Sequence, residues 1–186
     1  MNNVFWRKTL PFDRHYRSML QAPNFYEQYR YPMIIHGERC NITSSYNNSR
    51  GTAAESELNE YCINLYNDAM DDFFARLGVL RHIRYKYYYW WQIYNPDVKG
   101  SLHPKHSHWT QDGAAFSWVH FIQTNNEHCF RFAGEYNETD VSIKEKDDEI
   151  IFFHPLLLHQ AVKPTKGTRI IIAGNINITE DELSTY

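Results

Sequence analysis

No run of apolar residues in this chain approaches the roughly eighteen that a bilayer-spanning helix needs. Cysteine is scarce: Cys40, Cys62 and Cys129 are three, an odd number at wide spacing. That excludes a disulfide framework or a zinc knuckle. There is no basic excess, since the formal net charge is -3, which argues against charge-driven binding to nucleic acid or to an anionic membrane. The stretch Met1–Lys8 lacks the long apolar core of a secretion signal. Matches to the glycosylation sequon, such as Asn41-Ile-Thr43 and Asn137-Glu-Thr139, therefore read as chance, and the expected compartment is the reducing cytoplasm. No internal repeat and no low-complexity segment is evident.

What the chain does have is enough length for one domain with a sizeable core, 186 residues. It is also rich in aromatic residues at 16%, tyrosine foremost, which favours β-structure over a helical bundle. Residues 1–54 show no readable period. Pro11, Pro23 and Pro32 interrupt aromatic clusters, and Asn41 to Gly51 is polar and turn-rich. This region is expected to be irregular. Thr52-Ala-Ala-Glu55 then has capping-box spacing. Behind it Leu58, Cys62, Leu65, Ala69, Phe73 and Leu77 recur at steps of three and four. The pattern predicts a supporting helix over 55–79, stopped by Gly78. From Arg84 the period changes. A long strand is expected over 84–94, with shorter ones over 101–109, 115–124, 129–132, 141–143, 149–153, 158–162 and 168–178. Eight strands behind a helix make a jelly roll, mainly β, over 84–178.

Chemistry concentrates at two places fifty residues apart. His106-Ser-His108 follows Gly100, whose freedom lets the chain turn tightly into the strand. Alternate strand residues share a face, so an H-x-H pair can set two imidazoles on one metal. His159, at the head of a later strand, is the candidate third ligand. Asp112, four residues beyond His108, is an alternative ligand. His103 is expected to face the other way, and His82, His120, His128 and His154 to be surface or satisfied core residues. Ten residues beyond His159 stands Arg169, opening an apolar strand that ends in Asn175. A guanidinium there is suited to gripping a carboxylate, with Thr168 and Asn175 adding hydrogen bonds. Tyr87, Tyr89, Trp91 and Trp118 are candidate pocket walls.

Together these pieces resemble the iron(II)- and 2-oxoglutarate-dependent dioxygenases over about residues 60–178, most of all a small group of members common in phages and marine bacteria. The matching segments are Trp91-Gln-Ile-Tyr94, Gly100, His106-Ser-His108, Phe116 to Ile122, Asp148 to Pro155, His159, and Arg169 through Asn175. The resemblance implies a double-stranded β-helix with Fe(II) at its mouth, held by His106, His108 and His159. It also implies 2-oxoglutarate chelating the iron, its far carboxylate on Arg169, and molecular oxygen as the other co-substrate. 2-Oxoglutarate would be decarboxylated to succinate while an unidentified primary substrate is oxidised, in the cytoplasm of the host cell if the gene is a phage's. The chain departs from the usual H-x-D/E…H set of the superfamily, having His108 in place of the carboxylate.

Two rival readings share the barrel. A metal-binding cupin matches through Gly100, His106, His108 and Asp112, and through Pro155-Leu-Leu-Leu-His159, but lacks the later glycines of its two motifs and has no role for Arg169. The other is a non-catalytic jelly-roll protein with a relic site.

Overall fold

A computed structural model describes residues 3–22, 30–35, 38–46, 53–79, 83–108, 113–134 and 140–179. In chain order the elements are β1 (Val4–Thr9), α1 (Arg14–Gln21), β2 (Arg30–Ile35), β3 (Glu38–Ser44), α2 (Ala53–Arg76), β4 (Arg84–Tyr94) and β5 (His103–His106). Then follow β6 (Phe116–Gln123), β7 (Phe130–Phe132), β8 (Val141–Ser142), β9 (Glu149–Phe153), β10 (His159–Ala161) and β11 (Arg169–Thr179). They form a seven-stranded sheet in the order β1-β9-β6-β11-β4-β3-β2 and a four-stranded sheet in the order β5-β10-β7-β8. All pairings within both sheets are antiparallel. This is the mainly β, double-stranded architecture that the short strands and turn signals predict.

The central strands β9, β6 and most of β11 in the larger sheet are buried on both faces, and period-two alternation sorts their side chains between two cores. Ile170, Ile172 and Ile176 of β11 join Trp91, Ile93 and Phe152 in a cluster that α2 covers. Ile171 and Ala173 face the other way, into a cluster between the sheets with Trp90, Phe121, Phe130, Phe132 and Phe153. Gly174 is required between them. A Cβ there would lie 2.5 Å from both the Trp118 ring and the Tyr88 carbonyl oxygen.

Helix α2 presents Leu58, Cys62, Ala69 and Phe73 to the sheet, all buried, together with Tyr66, Met70 and Phe74. Leu65 is only partly buried against this core. Leu77 was expected on the buried face but is 45% exposed, because it lies past the last helical turn, where Gly78 takes up φ 74° and redirects the chain. Thr52 of the expected capping box lies outside the described residues. Phe73 stacks on Phe152 with ring centroids 4.3 Å apart.

Residues 1–54, expected to be irregular, carry β1, α1, β2 and β3. Strand β1 alternates only weakly in hydrophobicity, and pairing with β9 is what makes it a strand. The N-terminal segment is held by polar contacts no periodicity reports. Asp148 adopts φ 62°, and its carboxylate accepts the Phe12 backbone N–H at 3.0 Å and Arg17 Nη2 at 2.5 Å. His120 is fully buried on β6. Its Nε2 lies 2.8 Å from the Leu10 carbonyl oxygen and its Nδ1 2.9 Å from the Tyr66 hydroxyl. The carbonyl can only accept, so Nε2 carries the hydrogen and Nδ1 accepts from Tyr66. One neutral imidazole thus ties the N-terminal segment, α2 and the sheet together.

Two outcomes follow for stability. Phe73→Ala should cost about 3–5 kcal/mol in denaturant unfolding. Burial pushes His120 down to about 3, well below its ordinary value, so the unfolded chain takes up a proton first as the pH falls. Stability should therefore drop between about pH 6.5 and pH 3, with His120 contributing about 1.4 kcal/mol per pH unit in that window. In His120→Phe the slope of stability against pH should be shallower by that amount; an unchanged slope would show that this imidazole does not couple folding to acid.

Candidate metal centre

The pairing of β10 with β5 sets His159 directly across from His106. His108 lies just past the end of β5, not on it, and its backbone N–H donates to the Pro155 carbonyl at 2.9 Å. The turn between β9 and β10 thus fixes where the second imidazole stands. His106, His108 and His159 each offer a ring nitrogen, and these nitrogens lie within 4.8 Å of one another. His106 Nδ1 lies 2.8 Å from the Pro104 carbonyl and His159 Nδ1 2.9 Å from the Leu157 carbonyl. Those acceptors demand a hydrogen on Nδ1, so in both rings Nε2 carries the lone pair a metal uses. His108 Nε2 and His159 Nε2 are 3.2 Å apart. Two nitrogens at right angles about a metal, each about 2.1 Å away, stand about 3.0 Å apart. The donor set fits a divalent transition metal. Burial, with His106 and His108 close by, holds His159 well below the ordinary imidazole range, so it is neutral, as a ligand must be.

The centre opens on a cavity lined in part by Trp90, Gln92, Tyr94, His103, Phe153 and Ile171. From β4 it is Trp90, Gln92 and Tyr94, alternate residues of the strand, that face it. Tyr87 and Tyr89, expected as walls, instead hydrogen-bond to α2 through Asn67 and Asn59, and Trp91 packs under the same helix. Reading the long strand one residue out of phase exchanges its faces. Trp118 does line the cavity. His103 faces the site and not away from it. A register irregularity lets His106 and His103 oppose His159 and Ala161, so a three-residue step returns to one face. His103 stacks on His106 at 4.0 Å. Burial, then His106, His108 and Arg169, lower its pKa well below the usual value. The Tyr94 hydroxyl donates to Gln92 Oε1 at 2.8 Å and lies 3.5 Å from His103 Nδ1.

Arg169 is completely buried at the start of β11. Its guanidinium lies over the rings of Tyr94 and Phe121, 5.2 and 5.7 Å from their centroids. Nε and Nη2 both donate to Glu145 Oε2, at 3.0 and 2.9 Å, while Nη1 is buried without a hydrogen-bond partner. Burial alone would lower the arginine's pKa, but the Glu145 carboxylate raises it. Glu145 escapes a sequence reading because it sits in the charged run Lys144-Glu-Lys-Asp-Asp-Glu149, which looks like a solvated loop. Asn175 is fully buried beside His108, with Nδ2 3.2 Å from His108 Nδ1. Thr168 presents its backbone carbonyl to Gln123 and Asn125. Asp112 lies outside the described residues.

No family model matches the chain, and no curated protein matches it in sequence. Its fold is shared with solved 2-oxoglutarate–Fe(II) oxygenases. A prolyl-4-hydroxylase of Pseudomonas putida is 12% identical, with 95% of this chain and 94% of that one covered at a TM-score of 0.57. A prolyl hydroxylase of Trichoplax adhaerens, solved with a hypoxia inducible factor peptide, is 16% identical, with coverage of 95% and 84% and a TM-score of 0.59. A viral collagen prolyl hydroxylase from Paramecium Bursaria Chlorella virus-1, solved as its 2-oxoglutarate complex, is 12% identical, with coverage of 94% and 96% and a TM-score of 0.53.

The cluster predicts one divalent metal per chain. Metal analysis of His159→Ala should show that ion lost, since the ring with its tautomer preset by Leu157 is gone. Full occupancy in this variant would mean the ion binds elsewhere.

Proposed function

We propose that this chain is an iron(II)- and 2-oxoglutarate-dependent oxygenase in which His106, His108 and His159 hold the metal and Arg169 receives the far carboxylate of the co-substrate. The observation that carries the reading is the buried guanidinium of Arg169, half used by Glu145, in the same barrel as a three-imidazole cluster. A guanidinium has two hydrogen-bonding edges. Glu145 occupies the Nε–Nη2 edge, and the edge carrying the orphaned Nη1 is left for a second carboxylate. An unpaired buried donor is costly unless a ligand satisfies it.

Charge supports the same choice. Three neutral imidazoles leave a divalent ion its full double charge. The Arg169–Glu145 pair sums to zero. A buried site with that balance favours a dianionic ligand, and 2-oxoglutarate is one. In this accounting Glu145 restores, at a distance, the negative charge that the usual facial carboxylate would have brought. When bound, iron(II) supplies the redox centre at which oxygen and the 2-oxo acid react, the latter losing carbon dioxide to give succinate. The chain's own residues orient and shield. Trp90 and Phe153 wall the centre against water, His103 and Tyr94 give the cavity a neutral polar lining, and Glu145 fixes the orientation of the fork that anchors the ligand.

One observation favours a second reading, a metal enzyme of cupin type that uses no 2-oxo acid. The set is three histidines, and Arg169 already has a carboxylate.

The test separates these. Arg169→Ala alone would strand the Glu145 charge in the core, so the variant of choice is Arg169→Leu with Glu145→Leu. It should keep its metal, while anaerobic titration of the Fe(II) protein should show 2-oxoglutarate binding weakened by about 2–5 kcal/mol. Wild-type Fe(II) protein that neither binds 2-oxoglutarate nor releases succinate from it under oxygen would sink the oxygenase and favour the cupin.

A further inference from the structure

We propose that Asp140 is a positioning residue for the metal centre: from the outer face of the smaller sheet it sets the spacing of the two strands that carry His106 and His159. The proposal rests on the metal-centre part of the proposed function and is independent of the co-substrate.

Each of these two rings is oriented from within its own strand. His106 Nδ1 lies against the Pro104 carbonyl and His159 Nδ1 against the Leu157 carbonyl, each two residues back along the chain. Such a bond fixes a ring relative to its own backbone and does not set its distance from the other ring. That distance depends on how β5 is held to β10. The ladder between them sets His159 opposite His106 and Ala161 opposite His103, with a shift of register between the two pairs. Gln160 therefore opposes two residues, Pro104 and Lys105. A bulge of this kind disrupts the ladder where it falls, and Pro104 has no N–H to contribute. Main-chain pairing is thus weakest beside the pair of residues that brings two of the three ligands together. β5 is also an edge strand of only four residues, and β10 has three.

Asp140 bridges that gap from the side away from the histidines. Lys105 and Gln160 adjoin His106 and His159 in sequence, so their side chains leave the sheet on its opposite face. Both end on Asp140, the residue before β8. Lys105 Nζ donates to Asp140 Oδ1 at 2.8 Å, and Gln160 Nε2 donates to Asp140 Oδ2. The Gly134 backbone N–H, just past β7, adds a bond to Oδ1 at 3.3 Å. The Asp140 side chain is 18% exposed, against 50% for Lys105. The hydrogen bond from Lys105 holds the Asp140 carboxyl below its ordinary range, so it stays ionised. One carboxylate thus takes a donor from each ligand-bearing strand and is itself tied to the end of β7, on the far side of β10. An ion pair this exposed adds little to folding. Its consequence lies in where the strands stand, because a metal about 2.1 Å from each imidazole nitrogen tolerates only small changes in their spacing.

The experiment uses the full chain without co-substrate. Co(II) affinity is measured by competition with a chelator, and the ligand geometry is read from the visible bands of the bound Co(II). Asp140→Ala should bind Co(II) about tenfold more weakly and with altered bands, while the metal-free variant should melt within about 4 °C of wild type. Lys105→Met should lose less, since Gln160 keeps its half of the strap, and adding it to Asp140→Ala should cost nothing further. Wild-type affinity and bands in Asp140→Ala would overturn the proposal. An equal loss of affinity in Glu127→Ala would overturn it too. That carboxylate staples the Thr165–Lys166 turn instead of a ligand-bearing strand, so such a loss would show that binding follows general stability and not strand spacing. Should Asp140→Ala fail to fold, Asp140→Asn, which keeps the shape and one acceptor, takes its place with a smaller loss expected, and wild-type affinity there would overturn the proposal. Wild-type protein that binds no Co(II) would overturn the metal centre and this proposal with it, an outcome distinct from a failure to bind 2-oxoglutarate.

Discussion

The barrel is organised around one constraint: β11 is an interior strand buried on both faces, so each of its residues must serve one of two cores. Its alternate residues Ile170, Ile172 and Ile176 pack under α2. The intervening ones, Arg169, Ile171, Ala173 and Asn175, include both polar residues of its buried length. Antiparallel pairing with β4 and with β6 fixes that phase from both sides, and a slip of one residue would put a guanidinium under the helix. The phase of β11 also sets the phase of β4, and with it which aromatic residues wall the cavity.

Polar residues on such a strand have to be matched inside the protein. Arg169 is matched by Glu145, which reaches in from the loop before β9 and also accepts the Phe130 backbone N–H. Asn175 is matched by Ser117 and Tyr88. Replacing such a pair with apolar side chains is often neutral or stabilising, whereas removing one partner is not. A buried pair in this position therefore invites a functional account.

Much of the architecture was legible in the sequence because apolar periodicity carries it. The strand over 84–94 falls where the pattern puts it, the helix expected over 55–79 runs from Ala53 to Arg76, and the short strands beyond follow their turn signals. What the pattern could not report was of two kinds. One is phase: the run Tyr87-Tyr-Tyr-Trp-Trp91 is aromatic at every position, so nothing local says which face is inward, and Tyr87, Tyr89 and Trp91 turn to α2 while Trp118 lines the cavity as expected. The other was contact across long separations. His103 joins its neighbours through an irregular register, Glu145 is hidden in a charged run, and the N-terminal strand exists only because β9 offers it an edge. The three histidines come together as the H-x-H and later His spacing suggests; the carbonyls behind His106 and His159 and the Glu145 partner of Arg169 are not readable from spacing.

The edges of the two sheets bear on how this chain behaves among its own copies. An open strand edge is a template on which another molecule can add a strand. β1, at one end of the larger sheet, breaks its register between Val4 and Trp6 and then carries Arg7 and Lys8. β2, at the other end, contains Pro32, which has no N–H to offer. In the smaller sheet, β5 is four residues long with Pro104 and Lys105 at its centre, and β8 is only two. Each described edge is thus too short, too irregular or too charged for continued pairing. In a barrel this rich in aromatic strands, the residues at the described margins oppose the addition of a further strand.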